Sequence, residues 1–145
     1  MSRYISEQIR QVIANRANNL CEYCLIHEED TFIACQVDHI ISLKHGGKTE
    51  PENLAYACAF CNRNKGSDVG SIILPANNFV RFFNPRSDKW SDHFELEETI
   101  IRPITDIGEA TARILDFNHI DRIIERQELI AVGRYPHPLA IEYIK

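Results

Sequence analysis

Two adjacent residues, Asp38 and His39, have the side chain types that metal-assisted hydrolysis of a phosphodiester needs. A carboxylate is a hard oxygen ligand for a divalent cation. An imidazole with a pKa near neutrality can take a proton from an attacking water. Asn53 and Asn62 follow along the chain, and the amide oxygen of Asn62 is a neutral ligand for the same cation. An isolated Asp-His pair at a strand end is usually a surface or capping pair, so the interpretation depends on the residues around it.

Four of the five cysteines form two Cys-x-x-Cys pairs, Cys21/Cys24 and Cys58/Cys61, which are separated by 33 residues. Each pair presents two thiolates to one ion, and two pairs complete the tetrahedral sulfur shell that Zn²⁺ prefers. The alternative is four unrelated buried cysteines, since free cysteine is often buried. A site closed by four thiolates leaves no position for a substrate, so we predict a structural zinc. Cys35 lies outside this pattern and is predicted to be a core residue of a strand.

Length and composition predict one ordinary domain, spanning residues 1–145, with 44% hydrophobic residues available for a core. No apolar run approaches the roughly 20 residues that a membrane span needs. The first residues mix charges with apolar side chains, unlike a signal peptide. We therefore expect a cytoplasmic protein without a membrane partner, and in a reducing compartment five cysteines do not indicate a disulfide framework.

The formal net charge is −5, whereas general nucleic-acid binders are usually basic. The acidic excess lies mainly in residues 92–130, which contain ten acidic residues and four arginines. The Asp-His pair is therefore outside the acidic part of the chain. The acidic segment is a candidate for docking a partner or restraining an activity.

The hydrophobic pattern and the turn residues predict the elements that must position these groups. The expected order in the first half is a helix over 4–18, a strand over 31–41, a loop over 44–51 containing Gly46-Gly47, a strand over 54–58 and a helix from 62 to about 71. A linker-like stretch with Pro75 and Asn84-Pro85 follows. The second half is expected to form a strand over 94–101 and helices over 105–117 and 119–132. Such a chain has the α+β fold class.

The motif CEYC…VDHIISLKHGGKTEPENL…CAFCNRNKG resembles the HNH endonuclease family, whose core is a ββα-metal finger. The resemblance covers about residues 21–70. It implies that Asp38 and Asn62 hold a catalytic Mg²⁺ or Mn²⁺ ion, that His39 is the general base, that Asn53 braces the loop, and that the four paired cysteines hold the structural Zn²⁺. Asn62 stands where many members of the family have a histidine.

The predicted architecture is therefore an HNH finger over about residues 18–72, with an N-terminal helix before it and a mixed α/β extension over about 73–145. The predicted function is that of a metal-dependent endonuclease that hydrolyses DNA. The alternative is a zinc-finger module that binds nucleic acid or protein and does not cut. Candidate DNA contacts are Arg63, Lys65 and His45, each of which also suits a solvated surface position. The basic and aromatic residues of 81–90 suit either a DNA-facing surface or the edge of the core.

Overall fold

The computed structural model describes residues 5–145. Its centre is an antiparallel hairpin of β1 (Gln36–His39) and β2 (Leu54–Ala57), followed at once by helix α2 (Ala59–Lys65). Asp38 is opposite Ala55, and His39 is opposite Leu54. The ββα order confirms the predicted α+β finger, and it brings the ends of β1 and α2 together.

Strand β1 is shorter than predicted, because residues 31–35 form a loop. Phe32 and Ile33 are 110% and 58% exposed. The backbone N–H of Cys35 donates to Glu28 Oε2 at 2.8 Å, so it bonds a side chain in place of a neighbouring strand. The partner strand β2 has only four residues, since it begins after the turn Pro51–Asn53 and ends at the second cysteine pair. The β-forming composition of this segment is not sufficient to extend the strand without a partner.

Helix α2 begins earlier than predicted, at Ala59, because Cys58 caps it. The Cys58 side chain accepts a hydrogen bond from the Cys61 N–H, which is one of the N–H groups left without a helical partner at a helix start. The helix ends at Lys65, and Gly66 follows with a φ of 53°. Asn62 is therefore the fourth residue of the helix and not its first.

The N-terminal helix α1 (Glu7–Arg16) packs against β2. Ser6 accepts a hydrogen bond from the Ile9 N–H at 3.2 Å and caps the helix, while Ile13 is fully buried. Arg16 donates to the carbonyl oxygens of Pro51 and Leu54, at 3.0 and 2.5 Å. The helix is thereby joined to both ends of the turn that leads into β2. The predicted start at residue 4 lies outside the described residues.

The C-terminal extension contains two further hairpins and four helices. Its elements are β3 (Gly70–Ile73), β4 (Asn78–Arg81), α3 (Trp90–His93), β5 (Phe94–Glu97), β6 (Ile100–Pro103), α4 (Asp106–Ile114), α5 (Ile120–Ala131) and α6 (Ile141–Ile144). The linker predicted near Pro75 is instead the turn of the β3–β4 hairpin. The strand predicted over 94–101 is the β5–β6 hairpin, which turns at Glu98 with a φ of 56°. Helices α4 and α5 agree with the predicted ones, with Thr105 and His119 as their N-caps.

The aromatic residues of the extension form the core that faces the first cysteine pair. Phe83, Trp90 and Phe94 are at most 3% exposed, and neighbouring ring centroids lie 5.0–5.6 Å apart. The Trp90 indole N–H donates to the Tyr23 carbonyl at 2.8 Å. Of the two interpretations of residues 81–90, the core edge is therefore correct for the aromatic side chains. Within residues 5–145, no helix is both long and apolar enough to cross a membrane.

Candidate functional site

The four paired cysteines lie together in the interior. Their sulfur atoms are all within 4.8 Å of one another, and each side chain is at most 1% exposed. The Sγ atoms of Cys24 and Cys58 are 3.7 Å apart, close to the roughly 3.8 Å edge of a tetrahedron with Zn–S bonds of 2.3 Å. Within each pair, the N–H of the second cysteine donates to the first sulfur at 3.4 Å. The donor set therefore fits a zinc ion, and Cys35 is outside it.

The thiols of this cluster differ in acidity. Burial raises the pKa of Cys21 and of Cys61 well above the ordinary thiol value. Hydrogen bonds from the other three cysteine side chains lower the pKa of Cys24 well below it, and the charge of Arg122 acts in the same direction. Zinc binding therefore has to displace the protons that burial holds on Cys21 and Cys61.

Asp38, His39 and Asn62 line one open cleft of about 240 Å³, with Ser42, Leu43 and Gly66 at its edges. The first two residues end β1, and the third is on α2, so the ββα order brings them to the same surface. The His39 ring is half-buried, and its Nε2 lies 2.8 Å from the Thr49 hydroxyl oxygen. A hydroxyl group can donate to or accept from this nitrogen, so the contact orients the ring in either tautomer.

The carboxylate of Asp38 already has two partners inside the protein. The Tyr23 hydroxyl donates to Oδ2 at 2.8 Å, and the Lys65 ammonium lies 3.3 Å from Oδ1 and 3.2 Å from Oδ2. Asp38 is 4% exposed and Lys65 only 1%. Burial raises the pKa of Asp38, although the Lys65 charge and the Tyr23 hydrogen bond oppose this rise.

Lys65 is therefore not a solvent-facing residue that meets DNA phosphates, and that candidate role is corrected. Its ammonium also donates to the His39 carbonyl at 2.9 Å, so it joins α2 to the end of β1. Sequence reasoning missed this role and that of Tyr23. One signal was present, because Lys65 is three residues after Asn62 and so shares its helix face.

Arg63 and His45, the other candidate DNA contacts, are exposed. The Arg63 guanidinium lies over the Phe60 ring, 5.3 Å from its centroid. His45 ends the short turn Leu43–His45 beside the cleft. Both remain available to a phosphate backbone.

Asn53 braces the loop that connects the two strands of the finger. Its Oδ1 accepts from the Ile41 N–H, and its Nδ2 donates to the carbonyls of Ile41 and Lys48, all at 2.9 Å. A Cβ atom on Gly47 would lie 1.7 Å from the Ile41 carbonyl oxygen and 2.8 Å from Asn53 Nδ2. The second glycine of the Gly46-Gly47 pair is thus required by the close approach of the loop to Asn53.

We expect Asn53→Ala to lower the free energy of unfolding by about 1–3 kcal/mol, because it leaves three backbone groups without their partner. Chemical denaturation of the zinc-loaded protein measures the change. The matched control is Asn78→Ala, at an exposed strand position. Equal stability of the two variants would contradict the bracing role.

The four cysteines, the Asp-His pair at the end of β1 and Asn62 on α2 form one compact ββα unit. Residues 21–68 match the sequence model of the HNH endonuclease family. The match confirms the resemblance over this HNH segment, which contains both cysteine pairs and the cleft. Residues 69–145 lie outside the match. No curated protein and no solved structure matches the chain.

Proposed function

We propose that the chain is a metal-dependent endonuclease that hydrolyses phosphodiester bonds of DNA. The observation that supports this best is that Asp38, His39 and Asn62 line one open cleft within the HNH segment. A carboxylate, an imidazole and a carboxamide at one surface are the groups that hydrolysis of a phosphodiester needs.

His39 is proposed as the general base. Thr49 orients its ring through the contact at Nε2, and the half-buried position leaves part of the imidazole toward the cleft. The imidazole takes one proton from the attacking water as the new P–O bond forms, the P–O bond to the leaving oxygen breaks, and that oxygen takes a proton from solvent water. A neutral imidazole can accept this proton at its unprotonated ring nitrogen.

Asp38 and Asn62 are proposed to hold one divalent ion, Mg²⁺ or Mn²⁺. Among the described contacts, Asp38 Oδ1 has only Lys65 as a partner, so it keeps capacity to accept a further ligand. A hard carboxylate oxygen and an amide oxygen fit this ion class. When bound, the ion supplies Lewis-acid stabilisation of the charge that develops at phosphate and leaving oxygens. Because the Lys65 ammonium lies beside the same carboxylate, we expect weak binding of the ion by the protein alone.

DNA is the proposed partner, with Arg63 and His45 as candidate phosphate contacts. Both are exposed, and His45 directly follows Lys44, which lines the cleft. Phosphate contacts of this kind position the duplex and carry no sequence information. The acidic residues of the extension oppose DNA binding, and we expect a marked loss of affinity as salt is raised.

One observation favours the alternative function, a zinc-finger module that binds without cutting. Asp38 already has two partners within the protein, Tyr23 and Lys65, as a purely structural carboxylate would. A binding module does not need Asn62 in the cleft, whereas the nuclease does.

A cleavage assay on supercoiled plasmid distinguishes the two functions. We expect nicked and linear products with added Mg²⁺ or Mn²⁺, and none without them. Asn62→Ala should lose activity, whereas the control Asn64→Ala should keep it, because Asn64 donates to the Leu115 carbonyl outside the cleft. Plasmid that is shifted in a gel but remains uncut under every metal would establish the binding module.

A further inference from the structure

A buried arginine of the extension contacts the sulfur cluster. Arg122, on α5, places its Nη2 3.1 Å from the Cys24 sulfur and 3.7 Å from the Cys58 sulfur. It is 98 residues after Cys24 in sequence and only 4% exposed. The contact therefore joins the extension directly to one cysteine of each pair.

The cysteine sulfurs are the main negatively charged groups beside the Arg122 guanidinium. Its Nε donates to Glu125 Oε1 at 3.2 Å, and its guanidinium lies over the Phe60 ring at 4.9 Å. Its Nη1 is buried and has no hydrogen-bond partner among residues 5–145. Burying a charged guanidinium is unfavourable unless opposite charge or hydrogen-bond partners compensate for it. Glu125 contacts the guanidinium at Nε alone, so further compensation is needed.

The negative charge of the zinc-loaded cysteine cluster makes the position of the Arg122 guanidinium favourable. Four thiolates around Zn²⁺ leave a net charge of about −2. A guanidinium that donates to two of these sulfurs offsets part of that charge, and charge-assisted hydrogen bonds are stronger than neutral ones. Without the ion, protons replace it on part of the sulfurs, so the cluster offers the guanidinium less negative charge than the loaded site does.

Further contacts hold the extension to the same region. The Tyr135 hydroxyl donates to the Cys24 carbonyl at 2.8 Å, and Asn64 of α2 donates to the Leu115 carbonyl at 2.9 Å. Arg126, one turn after Arg122, donates to the Phe117 carbonyl at 2.7 Å and to the Thr99 carbonyl at 2.6 Å. Helix α5 is thereby held in one orientation, with Arg122 toward the sulfurs.

We propose that Arg122 is a positioning residue of the zinc site, through which zinc retention in the finger and docking of helix α5 stabilise each other. Coupling between two events is reciprocal. Zinc therefore favours the docked helix, and the docked helix slows zinc loss. The inference rests on the zinc site and not on the nuclease activity.

The first test measures zinc transfer from the full chain to a colorimetric chelator. Arg122→Met keeps the length and apolar stem but removes charge and donors, and we expect a 10–100-fold loss of zinc affinity with faster release. Arg122→Lys keeps the charge without the planar fork, so its release rate should be intermediate. The control is Arg113→Met on α4, where the arginine is exposed and, within the described part of the chain, forms an ion pair with Glu109 alone.

The second test measures the sulfur atoms and the helix separately. In the Co²⁺-substituted protein, removal of the donors to sulfur should move the sulfur-to-cobalt absorption band to longer wavelength. As a measure of helix docking in the zinc-loaded protein, hydrogen exchange over residues 120–131 should be slowest in the wild type, intermediate in Arg122→Lys and fastest in Arg122→Met.

Unchanged release rates and an unchanged cobalt band in Arg122→Lys and Arg122→Met would overturn the proposal. If Arg122→Met does not fold, the test is decided by Arg122→Lys, since the lysine charge preserves the ion pair with Glu125. Neither test involves DNA, so both tests of Arg122 can be interpreted even if the chain does not cleave DNA.

Discussion

His39→Ala is expected to lower the rate of plasmid nicking by about 10²–10⁴-fold, the usual contribution of a positioned general acid or base. The side chain is half-buried at the mouth of the cleft, and among the described contacts its ring nitrogen Nε2 meets the Thr49 hydroxyl. Its removal therefore takes away the proposed proton acceptor while the hairpin, the zinc ligands and the Asp38–Lys65 pair remain. Initial rates at saturating Mg²⁺ measure the effect.

The control measurements for this experiment are made on the His39→Ala protein itself. Zinc content near one ion per chain and an unchanged thermal transition exclude a loss of fold. Imidazole added to His39→Ala should restore part of the rate, because a free base can occupy the vacated volume. Full activity of the variant, purified free of contaminating nuclease, would contradict the proposed mechanism.

Removal of zinc is expected to unfold the HNH segment. Binding of a structural zinc contributes roughly 10–16 kcal/mol in zinc-finger peptides, whereas whole domains are stable by only about 5–15 kcal/mol. Without the ion, four buried thiols lie within 4.8 Å of one another, at the junction of the hairpin and α2. We expect a strong chelator, or the variant Cys61→Ser, to abolish the cooperative thermal transition seen by circular dichroism.

The matched control is Cys35→Ala. Cys35 is fully buried but lies outside the sulfur cluster, so this variant should bind one zinc per chain and keep the cooperative transition with a lower midpoint. A Cys61→Ser variant that melts like the wild type, with no bound zinc, would show that the cluster does not hold the fold.

The local motifs of the finger could be predicted because their determinants are close in sequence. Two Cys-x-x-Cys pairs leave few arrangements for their sulfurs other than one cluster, and the hairpin follows from the Gly46-Gly47 loop between two β-rich segments. The match over residues 21–68 bears on the same part of the chain. The catalytic roles of His39, Asp38 and Asn62 remain predictions.

The partners of the site residues could not be predicted, because they depend on tertiary packing. Lysine is usually a surface residue, yet the Lys65 ammonium is buried against Asp38, since α2 folds back over the end of β1. Phe32 and Ile33 are residue types that are typical of a buried strand, yet they are exposed because no neighbouring strand is available. Arg122 carries no sequence signal, since its contact with Cys24 spans 98 residues.

The extension also determines whether the finger can be moved to another protein. Residues of the first cysteine pair rely on it for hydrogen bonds: the Tyr23 carbonyl on Trp90, the Cys24 carbonyl on Tyr135, and the Glu22 carboxylate on Arg86. A fragment that ended near residue 72 would expose these groups together with an apolar face. The finger of this chain is therefore not expected to fold independently of the extension. Grafting the HNH segment onto a new scaffold requires the surface that covers it as well.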